Sequence, residues 1–184
     1  MNQSKLLEAR TLLEILDYRQ AHERLRYFKP NAAQIKWINE IAREGRFIVL
    51  NCSGNGAGKT FGIAAVLGAI CFPDIAPECF RRSPFIDFKG PKRARIISTP
   101  AELQDIGSLQ ASISHLWPSG RYDGDKGGKN FQSRFWTDTG WVIDLMSYEQ
   151  DISEFAGPSL GVVVFNEPPS KPIYDESIAR TRAG

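Results

Sequence analysis

Apolar residues recur at helical spacing over residues 4–26, where Leu6, Ala9, Leu13 and Leu16 fall near one face and Glu8, Arg10, Glu14 and Arg19 among the polar positions. The pattern predicts an N-terminal helix broken at Tyr27-Phe28-Lys29-Pro30, because the residue before a proline avoids the helical region. A second helix is predicted from Asn31, a good N-cap, to about Arg43, presenting Ile35, Ile38 and Ile41 and ending at Gly45. The period then changes. Phe47-Ile48-Val49-Leu50 is a continuous apolar run, the pattern of a parallel strand buried on both faces. A glycine-rich loop follows, then an apolar helix from about Lys59 to Phe72.

Residues 73–91 carry Pro73, Pro77, Pro84 and Pro91 and read as a long loop or a surface excursion. Arg95-Ile96-Ile97-Ser98 reads as a short strand, 101–116 as a helix, and the Gly-, Asp- and Lys-rich stretch 118–130 as a mobile connection. Phe131–Thr137 and Trp141–Ser147 flank Asp138-Thr139-Gly140 and form a predicted β-hairpin. Gly161-Val162-Val163-Val164-Phe165 repeats the signal of a strand buried on both faces. Alternation of strands and helices predicts an α/β fold with a mostly parallel central sheet flanked by helices, plus an N-terminal helix and a β-hairpin. The expected organisation is a helix over 1–26 and one domain over 27–184.

Composition narrows the class. The 184 residues are 42% hydrophobic and 24% charged, which excludes a disordered or fibrous chain. No apolar run reaches the length of a membrane span, and the N-terminal stretch carries acids among its leucines, so neither a membrane protein nor a secreted one is expected. Cys52, Cys71 and Cys79 cannot all pair, and with His22 and His115 they match no zinc spacing, which leaves thiols in a reducing cytoplasm. The formal net charge of +2 does not by itself announce a nucleic-acid partner.

The chemistry is concentrated in Ser53-Gly54-Asn55-Gly56-Ala57-Gly58-Lys59-Thr60. The usual phosphate loop is G-x-x-x-x-G-K-[ST], and Ser53 stands at its first glycine. Glycines let the backbone curl so that successive N–H groups point at phosphate oxygens, and the following helix adds the partial positive charge of its N-terminus. Lys59 would reach the β- and γ-phosphates, and Thr60 would place its hydroxyl on Mg²⁺. The competing reading is a glycine-rich turn with an incidental Gly-Lys-Thr; a strand before it and a helix after it favour the nucleoside triphosphate site.

Such a site needs an acid from a second strand. Val162 to Phe165 would deliver Asn166 and Glu167 at a carboxyl end, where α/β sheets bind ligands. Glu167 is the expected base for the attacking water, and a strand-end glutamate marks the ATPase branch of phosphate-loop proteins, the ASCE type. The competing reading is a surface glutamate before a Pro-Pro turn. Asn166 departs from the usual aspartate: it keeps a carbonyl acceptor for the metal's surroundings but lacks the charge.

Taken in order, these segments resemble the large terminase subunit of tailed bacteriophages. Tyr27-Phe28-Lys29-Pro30-Asn31-Ala32-Ala33-Gln34 is similar to that family's adenine-side motif, with Gln34 at its glutamine. Cys52 to Thr60 resembles its deviant phosphate loop. Leu145-Met146-Ser147-Tyr148-Glu149-Gln150 with Phe155-Ala156-Gly157 resembles the stretch before the acidic strand, and Val163-Val164-Phe165-Asn166-Glu167-Pro168-Pro169 resembles that strand. The resemblance spans about residues 24–184. It implies an ATPase that binds ATP and Mg²⁺ and packages double-stranded DNA into a procapsid. It further implies a homo-oligomeric ring on a viral portal, a small terminase subunit as partner, and the cytoplasm of the infected bacterial host as location. It also implies that the coupling motif and nuclease domain of the family lie beyond Gly184.

Two rivals follow from the same residues. Asn166 motivates a nucleotide-binding assembly module with little hydrolysis, and shared translocation chemistry motivates a helicase-like motor, which the Glu-Pro-Pro ending disfavours. Arg81, Arg82, Lys89, Lys92, Arg93 and Arg95 cluster against Asp87 alone, as either a DNA-phosphate surface or a solvated loop. Arg121 and Arg134 are both candidates for an arginine acting on a neighbouring subunit. Trp37, Trp117, Trp136 and Trp141 read as packing residues.

Overall fold

The computed structural model describes residues 3–44, 48–49, 51, 56–104, 109–126 and 132–181. In chain order the elements begin with helix α1 (Gln3–His22), α2 (Ala32–Ile41) and α3 (Lys59–Cys71). Strand β1 (Arg93–Ser98), the short helix α4 (Pro100–Gln104) and α5 (Leu109–Leu116) follow. The chain continues with β2 (Tyr122–Lys126), β3 (Gln132–Thr137), β4 (Val142–Ser147), β5 (Val162–Phe165) and α6 (Lys171–Ala179).

The five strands form one sheet in the order β2-β3-β4-β1-β5. β1 runs parallel to both of its neighbours, β4 and β5. The β2–β3 and β3–β4 pairings are antiparallel. The fold is therefore α/β, but the sheet is mixed where a mostly parallel one was expected. The reason is local: the β3–β4 hairpin, closed through Asp138-Thr139-Gly140, is not an appendage but supplies the centre of the sheet through β4. β2 lies in the stretch expected to be a mobile connection. Tyr122-Asp123-Gly124-Asp125 has no apolar alternation to announce a strand, and its order comes from pairing with β3.

One sheet face packs on α3 and α5 around Ile96, Phe135, Ile143, Leu67, Phe72 and Trp117, all buried. Each such side chain contributes roughly 1.5–3 kcal/mol on burial. The Trp117 indole donates to the Ala64 carbonyl at 2.9 Å, which fixes α3 against the turn after α5. The loop 73–91 is not a mere surface excursion: Ile75, Phe80 and Phe85 are fully buried in the same core. The opposite face has a smaller cluster of Ile97, Met146, Phe155 and Ile173, covered by α6.

Three further expectations need correction. α1 ends at His22 and buries no residue, and Leu6, Leu13 and Leu16 stay exposed. Ile48 and Val49 are not in a strand; Phe47 and Leu50 lie outside the described residues. β5 is apolar throughout, yet its four residues are only partly buried, because it is the sheet's last strand with a single ladder neighbour among the described residues. No helix among the described residues is long and apolar enough to cross a membrane.

Candidate nucleotide site

Because β1, β4 and β5 are parallel, their carboxyl ends lie on one edge of the sheet, and each is followed at once by polar residues. The ladder continues one step past each end: Tyr148 N–H donates to the Ser98 carbonyl at 3.1 Å, and Asn166 N–H to the Ile97 carbonyl at 3.0 Å. These bonds hold Tyr148 and Asn166 in register with Ser98 and with one another. The Tyr148 hydroxyl donates to the Glu167 carbonyl and stands 3.3 Å from the Glu167 N–H. Burial pushes that hydroxyl up to about 12, so it stays protonated and a donor at neutral pH.

α3 brings its N-terminus to the same edge. Gly58 caps it at φ +72°, a left-handed conformation that a side chain rarely adopts. A Cβ there would also stand 2.9 Å from the Gln34 amide nitrogen. Gly62, one turn on, allows the close approach of Trp37 and Gln34, since its Cβ would meet the Trp37 ring at 2.9 Å. α2 thus braces the loop directly. Asn31 caps α2 as expected, in a reciprocal box with Gln34. Asn31 Nδ2 donates to the Ala57 carbonyl at 3.1 Å, and Gln34 Nε2 to the Gly58 carbonyl at 2.7 Å.

Gly56, Ala57, Gly58, Lys59, Thr60 and Phe61 line a cleft of about 520 Å³ together with Glu102, Ser112, Asn166 and Glu167. The two ends of the predicted site, Lys59-Thr60 and Asn166-Glu167, are therefore brought together. Ser53, Gly54 and Asn55 lie outside the described residues. Gln34, only 4% exposed, lines the cleft nowhere; its side chain supports the loop from beneath. A neighbouring cleft is lined by Arg24, Tyr27, Phe28, Lys29 and His115 and shares Phe61 with the first, so the Tyr27-Phe28-Lys29 stretch adjoins the loop.

Two residues of the site escape a reading of the sequence. Glu102 stands one turn past β1, and its Oε2 accepts from Ser98 Oγ at 2.5 Å and from Asn166 Nδ2 at 2.5 Å. The acid after the Ser98-Thr99-Pro100 strand end was the available signal. Tyr148 had a weaker one, as the first residue beyond β4.

The basic cluster is largely spent on internal contacts. Arg93 pairs with Asp144 at 2.7 Å, Lys92 donates to the Thr139 carbonyl, and Arg95 is buried with its guanidinium on the Phe155 carbonyl. Arg134 pairs with Asp144, and Arg121 with Asp74 and Asp138. No protein-family model, no curated protein and no solved structure matches the chain.

Proposed function

We propose that the chain is a phosphate-loop ATPase and, on its resemblance to the large terminase subunit, the motor domain that packages double-stranded DNA. The observation that carries the reading is the shared cleft: a Gly-Lys-Thr helix start and a strand-end Asn-Glu pair, distant in sequence, line one space. Strand-end carboxylates opposite a phosphate loop are the arrangement of ATP hydrolysis.

Within this reading the loop N–H groups and Lys59 take the phosphates, with Lys59 offsetting negative charge that grows in the transition state. The donor set fits Mg²⁺, which takes a few protein oxygens and completes its shell with phosphate and water. Thr60 Oγ1 and Asn166 Oδ1 are the oxygens nearest that role by chemistry. Bound Mg²⁺ would neutralise phosphate charge. Glu167 orients the attacking water and accepts its proton, with its backbone held by Tyr148. The aromatic rings of the adjoining cleft, Tyr27, Phe28 and Phe61, take the base.

The wider assignment rests on the resemblance: a homo-oligomeric ring on a portal, a small terminase subunit as partner, and the infected host's cytoplasm as location. Steady-state phosphate release tests the core of it. Wild-type protein should hydrolyse ATP, and Lys59→Ala should reduce the rate by at least about a hundredfold. Undiminished release from Lys59→Ala overturns the reading. ATP binding with no release from wild type selects the assembly module instead.

A further inference from the structure

Asn166 poses a problem for the proposed site, because phosphate-loop ATPases hold their metal with an aspartate delivered by the acidic strand. Here that strand ends in a neutral amide. Its Nδ2 donates to the Glu102 carboxylate at 2.5 Å and to Ser98 Oγ at 3.2 Å. Ser98 Oγ donates to the same Glu102 oxygen at 2.5 Å. Both donors thus converge on Oε2, and Glu102 Oε1 and Asn166 Oδ1 have no partner among the described residues. Ser98, which anchors the arrangement, is 2% exposed at the end of β1. Glu102 and Asn166 both line the cleft with Lys59 and Thr60.

We propose that Glu102, in α4 just past the strand next to β5, carries the negative charge that Asn166 does not, and that it is the carboxylate serving Mg²⁺ in this site. The inference rests on the nucleotide-site reading above. It also accounts for Asn166. Two ionised carboxylates in contact repel one another and neither can donate to the other, so a site that takes its charge from Glu102 is served by a neutral donor at position 166. The amide orients Glu102 and turns its own carbonyl oxygen away from that bond. The charge has moved to the helix that follows the neighbouring strand, while the end of β5 keeps its hydrogen-bonding role.

The test is the Mg²⁺ dependence of binding of a fluorescent ATP analogue, run with and without metal on wild type and three variants. Glu102→Gln keeps both acceptor contacts and removes only the charge. It should not weaken affinity without metal, since a negative charge leaves the phosphate cleft, and it should raise the Mg²⁺ concentration for half-effect about tenfold or more. Asn166→Asp alone places two carboxylates in contact and should not improve on wild type. In the Glu102→Gln background the same change should restore the wild-type midpoint, since the charge is returned to the pair. An unmoved midpoint in Glu102→Gln overturns the inference while leaving the nucleotide site standing, as does an equal loss of affinity without metal. Failure of the double variant to recover also overturns it. Wild type that binds no analogue under either condition overturns the site reading itself, and the inference with it.

Discussion

The two edges of the sheet use similar polar residues and leave them in different states. At the edge where β1, β4 and β5 end, Glu102, Asn166 and Glu167 line a cleft, with Ser98 and Tyr148 hydrogen-bonded to them. At the other edge the polar groups close on one another. Arg121 holds Asp138 and Asp74, each at 2.7 Å, Thr139 Oγ1 donates to the Cys71 carbonyl at 2.6 Å, and Lys92 reaches the Thr139 carbonyl at 2.8 Å. The Asp138 and Asp74 carboxylates hold the Arg121 guanidinium firmly in its charged form. α3 runs between the two edges. Its N-terminal turn faces the cleft, whereas its last residue, Cys71, is met by a side chain of the β3–β4 turn.

Topology explains the contrast. Parallel strands put successive carboxyl ends on one side, so residues from three distant stretches converge there with no short turn to fill the space. The hairpin fills the opposite edge with its own turn, and the ion pairs tie that turn to the loop after α3. On the proposed function one edge serves chemistry and the other stability, and changes at each should separate the two readouts.

The largest effect belongs to the cleft. Glu167→Gln should cut ATP turnover by about 10²–10⁴-fold while leaving nucleotide affinity and the melting temperature near wild type, as measured by phosphate release, analogue binding and calorimetry. Equal turnover in this variant would remove the distinction between the edges. Tyr148→Phe deletes the hydroxyl that holds the Glu167 backbone, a bond worth about 1 kcal/mol. It should lower kcat several-fold with KM unmoved; a change in KM alone would show that Tyr148 acts on binding rather than on the position of Glu167. At the closed edge, Arg121→Ala breaks two partly exposed pairs and should cost about 1 kcal/mol in a urea melt. Turnover at a temperature where the variant is fully folded should stay within twofold of wild type. A drop in turnover there would show that the two edges are coupled through α3.

The sequence announces the open edge better than the closed one, for physical reasons. The glycines before α3, the Asn31 cap and the apolar β5 are local signals: a φ that favours glycine, a side chain three residues from its donor, a run of valines. The convergence of Glu102 on Asn166 is not local, since it depends on β1 and β5 being neighbours, which no periodicity encodes. β2 was illegible because two aspartates and a glycine carry no strand pattern. α6 follows the Pro168-Pro169 pair and buries only Ile173 and Ser177, too few positions for a period to announce it. The leucines of α1 misled in the other direction: helical spacing predicts the helix but does not supply a surface for it to cover. The +2 net charge said little either way, because the arginines nearest the sheet are engaged with Asp144, Asp74, Asp138 and the backbone.

On the proposed function, the start of α3 and the end of β5 form one nucleotide site. Hydrogen exchange with and without ATP and Mg²⁺ reads both segments in a single experiment. Peptides covering 56–62 and 160–167 should slow together when nucleotide is added, while the 137–141 turn at the far edge exchanges as before. Slowing of one segment without the other, or of neither at saturating nucleotide, would contradict it.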